Sequence, residues 1–364
     1  MPDTRPGILF DEEGVCQACR AEEQKSRTDW NARWSELEAL CDRHRGKYGA
    51  NGYDCVIAVS GGKDSHYQVH VFKEKLGMTP LLVTVEDNFT MTEAGKHNLR
   101  NISETFGCTL LSCKPDIRAE KKLLRICFEK WGKPTWFLDR LIYTYPLRMA
   151  TAFRIPLLVY GENIGYEYGG IHRVETPSAA DQINNGVASD LPWDELTING
   201  VSAKDLYLCE YPGKEMVAFP LEPIYLSYFV RWSSYNNYIF AKSVGFKDLT
   251  HEWQREHTPE SFDQIDSVAY LLHPWLKYPK FGHASATDYA SKYVRYGLIS
   301  REEAVELVRQ RDHRLDPKVV DDFCRFTGYS LREFYTILDG LYNRDLFMKD
   351  SYGRWALKNP VWAN

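Results

Sequence analysis

The pattern of apolar and polar residues divides the chain into regions of different character. Between residues 29 and 45, apolar residues recur at steps of three and four, which predicts an amphipathic helix. From residue 53 onward, short continuous apolar runs alternate with longer amphipathic stretches. The run YDCVIAV predicts a strand that is buried on both faces, and the runs PLLVTVE, CTLLSC and PLLVYGEN predict three further strands. Strands and helices in alternation predict an α/β fold with a doubly wound parallel sheet.

The same pattern predicts three units along the chain. Residues 1–45 form a short N-terminal segment with a C-x-x-C pair and a helix. Residues 46–228 form the α/β domain, in which helices end at Gly77 and Gly107 and further helices lie near 116–131 and 135–153. Within this domain, residues 165–215 lack periodicity, which is typical of a binding or docking insertion. Residues 229–364 are predicted to form a mainly helical C-terminal domain.

Composition narrows the classes of function. The chain has 364 residues, 44% of them hydrophobic, and a net charge of −5. This charge argues against a wide nucleic-acid interface, which needs a basic surface. No apolar run is long enough for a membrane helix, so we expect no membrane insertion. The nine irregularly spaced cysteines are typical of a reducing compartment, and we expect a cytoplasmic protein.

One motif carries specific chemistry. The sequence SGGKDS, residues 60–65, lies between a predicted buried strand and a predicted helix. Such a turn presents backbone N–H groups and the positive end of a helix to an anion. Gly61 and Gly62 allow close backbone approach, while Lys63 adds a charge and Ser60 and Ser65 add hydroxyl donors. The spacing matches neither the Walker motif nor a dinucleotide-binding fingerprint. A glycine turn without function is the alternative interpretation.

The motif resembles the signature of the PP-loop ATP pyrophosphatases. The resemblance implies that the loop binds the β,γ-pyrophosphate of ATP through Ser60, Gly61, Gly62, Lys63, Asp64 and Ser65. It also implies that the enzyme activates an oxygen atom by adenylation and releases pyrophosphate. Lys63, Asp64 and Glu162 are the catalytic candidates.

Two further strand ends are predicted at the same sheet edge. Val85, Asp87 and Asn88 end the second strand, and Gly161, Glu162 and Asn163 end a later one. Ligands of doubly wound sheets bind at this edge, which makes Val85, Asp87, Gly161 and Asn163 candidates for ATP contacts. Asp64 and Glu162 are candidate Mg²⁺ ligands. The alternative interpretations are a simple strand-end turn and, for Asp64, an acid in the first turn of a helix.

A longer resemblance covers most of the chain. The segments MPDTRPGILFDEEGVCQACR, VSGGKDSHYQVHVFKEKLG, DNFTMTEAGKHNLRN, FEKWGKPTWFLDRLIYTYPLRMA and LLVYGENIGYEYGG are similar to the N-acetyl sugar amidotransferases of bacterial surface polysaccharide biosynthesis. That resemblance implies conversion of an N-acetyl group on a nucleotide-linked sugar, such as a UDP-linked sugar, to an acetamidino group. The amide oxygen would attack the α-phosphate of ATP, and ammonia would then displace AMP from the adenylylated imidate.

The source of ammonia is predicted to be a separate protein. No cysteine has the surroundings of a glutaminase nucleophile, and position 2 is proline. The resemblance implies partner subunits similar to the glutaminase and cyclase of imidazole glycerol phosphate synthase. The 165–215 insertion or the C-terminal domain are candidate docking surfaces for them.

The acceptor sugar is expected to contact cations and aromatic side chains. Each candidate taken singly is as readily explained as a solvated charge or a core tyrosine. Together, beside Glu162, they favour substrate binding. The candidates are Arg140, Tyr143, Tyr145, Arg148, His172 and Arg173.

The pair Cys16 and Cys19 has the spacing of half a Cys₄ zinc site. Similar proteins carry a second C-x-x-C upstream, and the resemblance implies zinc only for the complete set of four. Zn²⁺ therefore stays an open expectation. His251 and His257 match no helical ligand spacing, and we interpret them as surface residues.

Three other functions remain open. A tRNA-modifying PP-loop enzyme would need a basic RNA-binding surface. Another small-molecule amidating ligase would usually have a fused glutaminase or use free ammonia. A catalytically silent nucleotide-binding scaffold would not need Ser60, Lys63, Asp64 and Ser65 to be intact.

Overall fold

The computed structural model describes residues 1–47, 52–169, 175–182, 187–211 and 219–363. Five strands form a parallel sheet in the order β3-β2-β1-β4-β5, and two more strands form an antiparallel hairpin. The predicted doubly wound α/β fold is confirmed. The strands are β1 Cys55–Ala58, β2 Pro80–Val85, β3 Thr109–Cys113, β4 Leu157–Tyr160, β5 Glu222–Tyr225, β6 Phe347–Lys349 and β7 Trp355–Leu357.

Helices cover both faces of the sheet and make up most of the C-terminal region. In chain order they are α1 Gln17–Lys25, α2 Trp30–His44, α3 Lys63–Val69, α4 Glu93–Phe106, α5 Ile117–Trp131, α6 Trp136–Ala152, α7 Ile164–Tyr168, α8 Trp193–Ile198, α9 Ala203–Leu206, α10 Leu226–Phe229, α11 Ser234–Ser243, α12 Leu272–Trp275, α13 Lys277–Phe281, α14 Ser285–Arg295, α15 Arg301–Arg311, α16 Pro317–Thr327 and α17 Leu331–Gly340. Short 3₁₀ turns lie at Tyr207–Cys209 and Ala269–Leu271.

The central strands are apolar because both of their faces are buried. Ile57 and Val159 point into one hydrophobic cluster, and Val56 and Leu158 point into another on the opposite face. The pairing of β1 with β4 places Val56 beside Leu158 and Ile57 beside Val159. Strand β3 lies at the sheet edge and is only partly buried. Because β1, β2 and β4 are parallel neighbours, the loops that follow them leave the sheet at the same edge.

Helix α3 begins directly after the SGGKDS turn and changes its hydrogen-bonding pattern before it ends. Residues 70–75 are π-helical, and the Leu76 N–H donates to the Val71 carbonyl at 3.0 Å. Gly77, with φ of +62°, ends the element as predicted.

Two strand features of the C-terminal half were not predicted from the sequence. Strand β5 is only four residues long and contains Pro223, which its edge position tolerates. The hairpin β6–β7 follows the last helix. The rest of the region after β5 is mainly helical, and its helices α12, α16 and α17 pack with α5 and α6 in one large hydrophobic cluster. The predicted unit boundaries stay predictions.

One prediction about the surface is wrong. His257 is buried rather than exposed, and burial together with Arg255 lowers its pKa to about 3. His251 is exposed as expected. Among the helices described, none combines the length and hydrophobicity needed to cross a bilayer.

Candidate functional site

The strand order reverses at the boundary between β1 and β4, where the carboxyl ends of both strands open a crevice. Ligands of open α/β sheets bind at such a point. A cavity of about 370 Å³ lies there, within the size range of small-molecule sites. Its lining comes from the ends of β1, β2 and β4, from α6 and from the segment 262–270 beyond the sheet.

The SGGKDS turn forms one wall of this cavity and depends on Gly61. This residue has φ of +81°, and a Cβ there would lie 3.0 Å from the backbone N and Cα of Leu99 in α4. The Ser65 hydroxyl accepts from the Ser60 N–H at 3.0 Å, and the Ser60 hydroxyl accepts from the Gly62 N–H at 3.2 Å. These contacts hold the turn in shape, with Ser60, Gly62, Lys63, Asp64 and Ser65 lining the cavity.

Lys63 is a buried cation held between two carboxylates. Its ammonium donates to Asp64 Oδ2 at 2.6 Å and to Asp263 Oδ1. Burial alone would lower the pKa of Lys63, but the charges of Asp263 and Asp64 raise it above its usual range. Lys63 is therefore a charged group inside the cavity at neutral pH.

Glu162 projects from the end of β4 into the same cavity. Its Oε2 accepts from the Trp232 indole N–H at 3.0 Å. Burial raises the pKa of Glu162, and the nearby Asp64 adds to the rise while Lys292 opposes it. Gly161 leaves room for this arrangement, because a Cβ there would lie 2.9 Å from Gln68 Nε2 and 3.1 Å from the Trp232 ring.

Asp64 and Glu162 fit the predicted role of Mg²⁺ ligands in their donor chemistry. Both are carboxylates that line one cavity, and Mg²⁺ prefers oxygen ligands. Asp64 Oδ1 accepts from the Asn237 side chain at 2.7 Å, which fixes the orientation of the carboxylate.

Sequence reasoning missed the contribution of the C-terminal half. Asp263, Asp266 and Tyr289 line the cavity. Lys292 of α14 is buried, and its ammonium donates to the Tyr168 hydroxyl. Burial would lower the pKa of Lys292, but Glu162 and Asp263 raise it above its usual range. In the sequence, these residues were indicated only by the two aspartates of SFDQIDS, and their spacing matches no motif.

Arg140 and Arg148 do not lie where the sequence interpretation put them. Arg140 donates to the carbonyls of Cys209 and Ala188 at 2.9 and 2.7 Å. Arg148 donates to the carbonyls of Tyr207 and Glu210. Both guanidinium groups therefore bind backbone carbonyls of the insertion.

Of the other sequence candidates, some line the cavity and some have their contacts elsewhere. Val85, Asp87, Gly161 and Tyr143 line the cavity. Tyr145 instead packs in the hydrophobic cluster on one face of the sheet. The Asn163 side chain accepts from the Tyr166 N–H at 3.2 Å and caps α7. Asn88 donates to Glu120 at 2.6 Å. His172 and Arg173 lie outside the described residues.

The two N-terminal cysteines lie side by side, with their Sγ atoms 3.5 Å apart. The contact between the two thiols lowers the pKa of Cys16 and, together with burial, raises that of Cys19. In the part of the chain that the structure describes, no group of three or more His, Cys, Asp or Glu residues could hold a metal. The pair alone does not complete a zinc site.

Comparison with known proteins found two similarities, each of which covers part of the chain. Residues 226–360 match a family model described as LPS biosynthesis protein WbpG-like, C-terminal domain. This match supports a role in polysaccharide biosynthesis. The chain is also similar to the uncharacterized protein MJ1599 of Methanocaldococcus jannaschii, with 24% identity over 166 residues. That alignment covers 43% of this chain and 58% of the relative, so the chain spans less than two thirds of the relative's length.

Proposed function

We propose that this protein is an ATP-dependent amidotransferase that converts an N-acetyl group of a nucleotide-linked sugar to an acetamidino group. One observation carries the proposal: the SGGKDS turn, with buried Lys63, opens into a cavity at the reversal point of the sheet. The similarity of residues 226–360 to an LPS biosynthesis domain supports a sugar as the acceptor. We place the reaction in the cytoplasm, as the cysteine content predicts.

The residues of the cavity suit the activation of an amide oxygen. Backbone N–H groups of the turn and the Lys63 ammonium would bind the β- and γ-phosphates of ATP. Asp64 and Glu162 would hold Mg²⁺, which neutralises charge on the phosphates when bound. The amide oxygen would then attack the α-phosphorus, so that a new P–O bond forms while the bond from the α-phosphorus to the bridging oxygen breaks and pyrophosphate leaves. The amide nitrogen would lose its proton to water, which gives the neutral imidate. Positioning and charge neutralisation are the main contributions that a protein makes to such a transfer.

The second half of the reaction needs ammonia. Its nitrogen would form a C–N bond with the adenylylated carbon, and the C–O bond to AMP would break. We propose that a separate glutaminase, with a cyclase-like subunit, supplies this ammonia. A pull-down with such subunits, read out by glutamine-dependent product formation, tests the partner separately from the chemistry.

The proposal is tested by mixing the protein with ATP, Mg²⁺, ammonium chloride and a UDP-linked diacetamido sugar. We expect AMP, pyrophosphate and a product whose acetamido oxygen has been replaced by NH, detected by mass spectrometry. AMP and pyrophosphate without that product would contradict the acceptor. If ATP gives ADP and phosphate instead, the adenylation chemistry is wrong.

A further inference from the structure

Segment 262–270 of the C-terminal half is hydrogen-bonded to the loop between β2 and α4 and packs against the start of α4. The Thr92 N–H donates to the Asp266 carbonyl at 3.0 Å, and the Val268 N–H donates to the Thr90 carbonyl at 2.9 Å. Gly95 lies so close that a Cβ there would be 2.5 Å from the Asp266 carbonyl oxygen. The backbone of Asp266 is therefore held firmly against the sheet domain.

This attachment places two carboxylates, Asp87 and Asp266, in the lining of one cavity. Asp87 has partners for both oxygens: the Ser267 hydroxyl donates to Oδ2, and the Phe89 N–H donates to Oδ1 at 3.0 Å. Asp266 differs, because its Oδ1 is buried and has no hydrogen-bond partner within the described residues. A buried polar atom without a partner is unfavourable for stability, which makes a functional role a reasonable explanation.

We infer that Asp266, with Asp87 as its neighbour, is the proton acceptor of the nitrogen-transfer step. This assignment rests on the proposed amidotransfer and extends it, because Lys63, Asp64 and Glu162 serve the adenylation half of the reaction. Both carboxylate oxygens of Asp64 accept hydrogen bonds, from Lys63 and Asn237, whereas the buried Oδ1 of Asp266 accepts none from the described residues.

The proton balance of the step shows what the carboxylate does. The ammonia lone pair attacks the imidate carbon, which leaves a positive charge on the new nitrogen and a negative charge on the sugar nitrogen. Asp266 accepts a proton from the new nitrogen and returns it to the sugar nitrogen. The electron pair of the C–O bond then leaves with AMP, and the product is an amidinium group. The carboxylate ends the cycle in the form in which it began.

The surroundings of the pair are consistent with proton exchange near neutral pH. Burial raises the pKa of Asp266 to about 7, and the charge of Asp87 adds to the rise. Burial likewise raises the pKa of Asp87 to about 6, although its hydrogen bonds lower it in part. The charged and titratable groups that act on the pair are Lys63 and Asp263 on Asp266, and Asp322, Lys114, Glu120 and Tyr270 around Asp87.

The experiment separates the two halves of the reaction in the full-length chain. With ammonium chloride as the nitrogen source, the wild type and Asp266→Asn are compared in a single turnover, with the enzyme in excess over the sugar, and the rates of pyrophosphate release and amidino-sugar formation are measured separately. We expect amidino-sugar formation to fall about 100-fold or more, the usual contribution of a general base, while pyrophosphate release stays within about threefold. The matched control is Asp321→Asn, the same substitution at an exposed aspartate of α16. It should leave both rates unchanged.

A second nitrogen source distinguishes proton transfer from a merely structural effect. Hydroxylamine forms a more acidic adduct than ammonia and loses its proton more readily to water. We expect Asp266→Asn to come within about tenfold of the wild type with hydroxylamine, because the general base is then less needed. Equal losses with both nitrogen sources, or an equal loss of pyrophosphate release, would overturn the assignment.

The wild type provides a test that does not depend on the variant folding. At a fixed concentration of unprotonated ammonia, the nitrogen-transfer rate should rise from about pH 5 to about pH 8, since the carboxylate is the active form. A flat profile would overturn the assignment of Asp266 and leave the amidotransfer intact. If the wild type forms no AMP and pyrophosphate at all, the proposed function fails and this assignment fails with it.

Discussion

At the scale of single residues, charge in the cavity is arranged as buried pairs. Lys63 contacts Asp64 and Asp263, and Lys292 lies near Glu162 and Asp263. Removing one member of such a set leaves a buried charge without compensation, which is far more costly than the loss of a surface ion pair. Substitutions here should therefore affect both activity and stability.

The first prediction concerns Lys63. Lys63→Met should lower the rate of pyrophosphate release about 100-fold or more, because the cation that would bind phosphate is lost. Lys75→Met is the matched control, since Lys75 lies in the continuation of α3 but is exposed. Steady-state pyrophosphate release checks this prediction. Full activity in Lys63→Met would contradict the role of the SGGKDS turn.

The second prediction concerns the pH dependence of stability. The pKa of Asp266 is raised to about 7, so in the folded state this group resists ionisation. In the unfolded chain the same carboxyl group has a pKa of about 4. Between about pH 4 and about pH 7 the folded protein therefore binds more protons than the unfolded chain, and the free energy of unfolding falls as the pH rises. Asp266→Asn removes this effect, and the variant should gain stability relative to wild type across this pH range.

Urea unfolding at several pH values measures this difference. The free energy of unfolding of Asp266→Asn minus that of the wild type should rise from about pH 4 to about pH 7 and level off above it. Asp321→Asn should show no such trend. A difference that falls with pH would mean that Asp266 is ionised and stabilised in the folded state.

At the scale of elements, close backbone approaches fix the geometry of the site. Gly61 contacts the backbone of α4, and Gly95 of α4 contacts the backbone of Asp266. Helix α4 therefore lies between the SGGKDS turn and the segment 262–270 and touches both. Because these contacts involve backbone atoms, a side chain at either glycine cannot be accommodated by a change of rotamer.

The third prediction concerns Gly61. Gly61→Ala combines an unfavourable φ of +81° with a Cβ 3.0 Å from the Leu99 backbone. Gly77→Ala has a similar φ of +62° and open space, so it isolates the cost of the backbone conformation, about 1 kcal/mol. Gly61→Ala should cost clearly more in thermal unfolding and should also lower ATP-dependent activity. Equal costs would mean that the contact with α4 is loose.

The fourth prediction concerns Gly95. At an ordinary helical position, Ala in place of Gly stabilises by about 1 kcal/mol. Gly95→Ala should instead destabilise, because its Cβ would lie 2.5 Å from the Asp266 carbonyl oxygen. Gly340→Ala in α17, where a Cβ meets open space, should be neutral or stabilising. Thermal unfolding of the two variants compares them directly, and a stable Gly95→Ala would contradict the tight docking of segment 262–270.

At the scale of the whole molecule, the fold was predictable to a large extent from local patterns. The strands β1, β2 and β4 are continuous apolar runs, and α4 ends at Gly107 as its sequence indicates. Strand β5 was not predicted, because Glu222 and Pro223 occupy half of its four positions and leave no continuous apolar run. The strands β6 and β7 were not predicted, because three residues are too few to show periodicity.

The site could be predicted from the sequence only where its functional groups lie within one short segment. The SGGKDS turn combines all its groups within six residues, whereas Asp266 and Lys292 reach the cavity region through packing of distant segments. Arg140 and Arg148 were placed in the sugar site because of their sequence neighbourhood, but α6 turns them toward the insertion. Tertiary contacts decide such positions, and no local spacing reveals them.

The most direct test of the proposed chemistry follows one oxygen atom. A UDP-linked acceptor carrying a heavy oxygen isotope in its acetamido carbonyl is incubated with the protein, ATP, Mg²⁺ and ammonium chloride, and the AMP formed is analysed by mass spectrometry. If the amide oxygen attacks the α-phosphorus, the label appears in AMP and pyrophosphate stays unlabelled. Unlabelled AMP, with the isotope retained in the sugar or released to water, would contradict activation of the amide by adenylation.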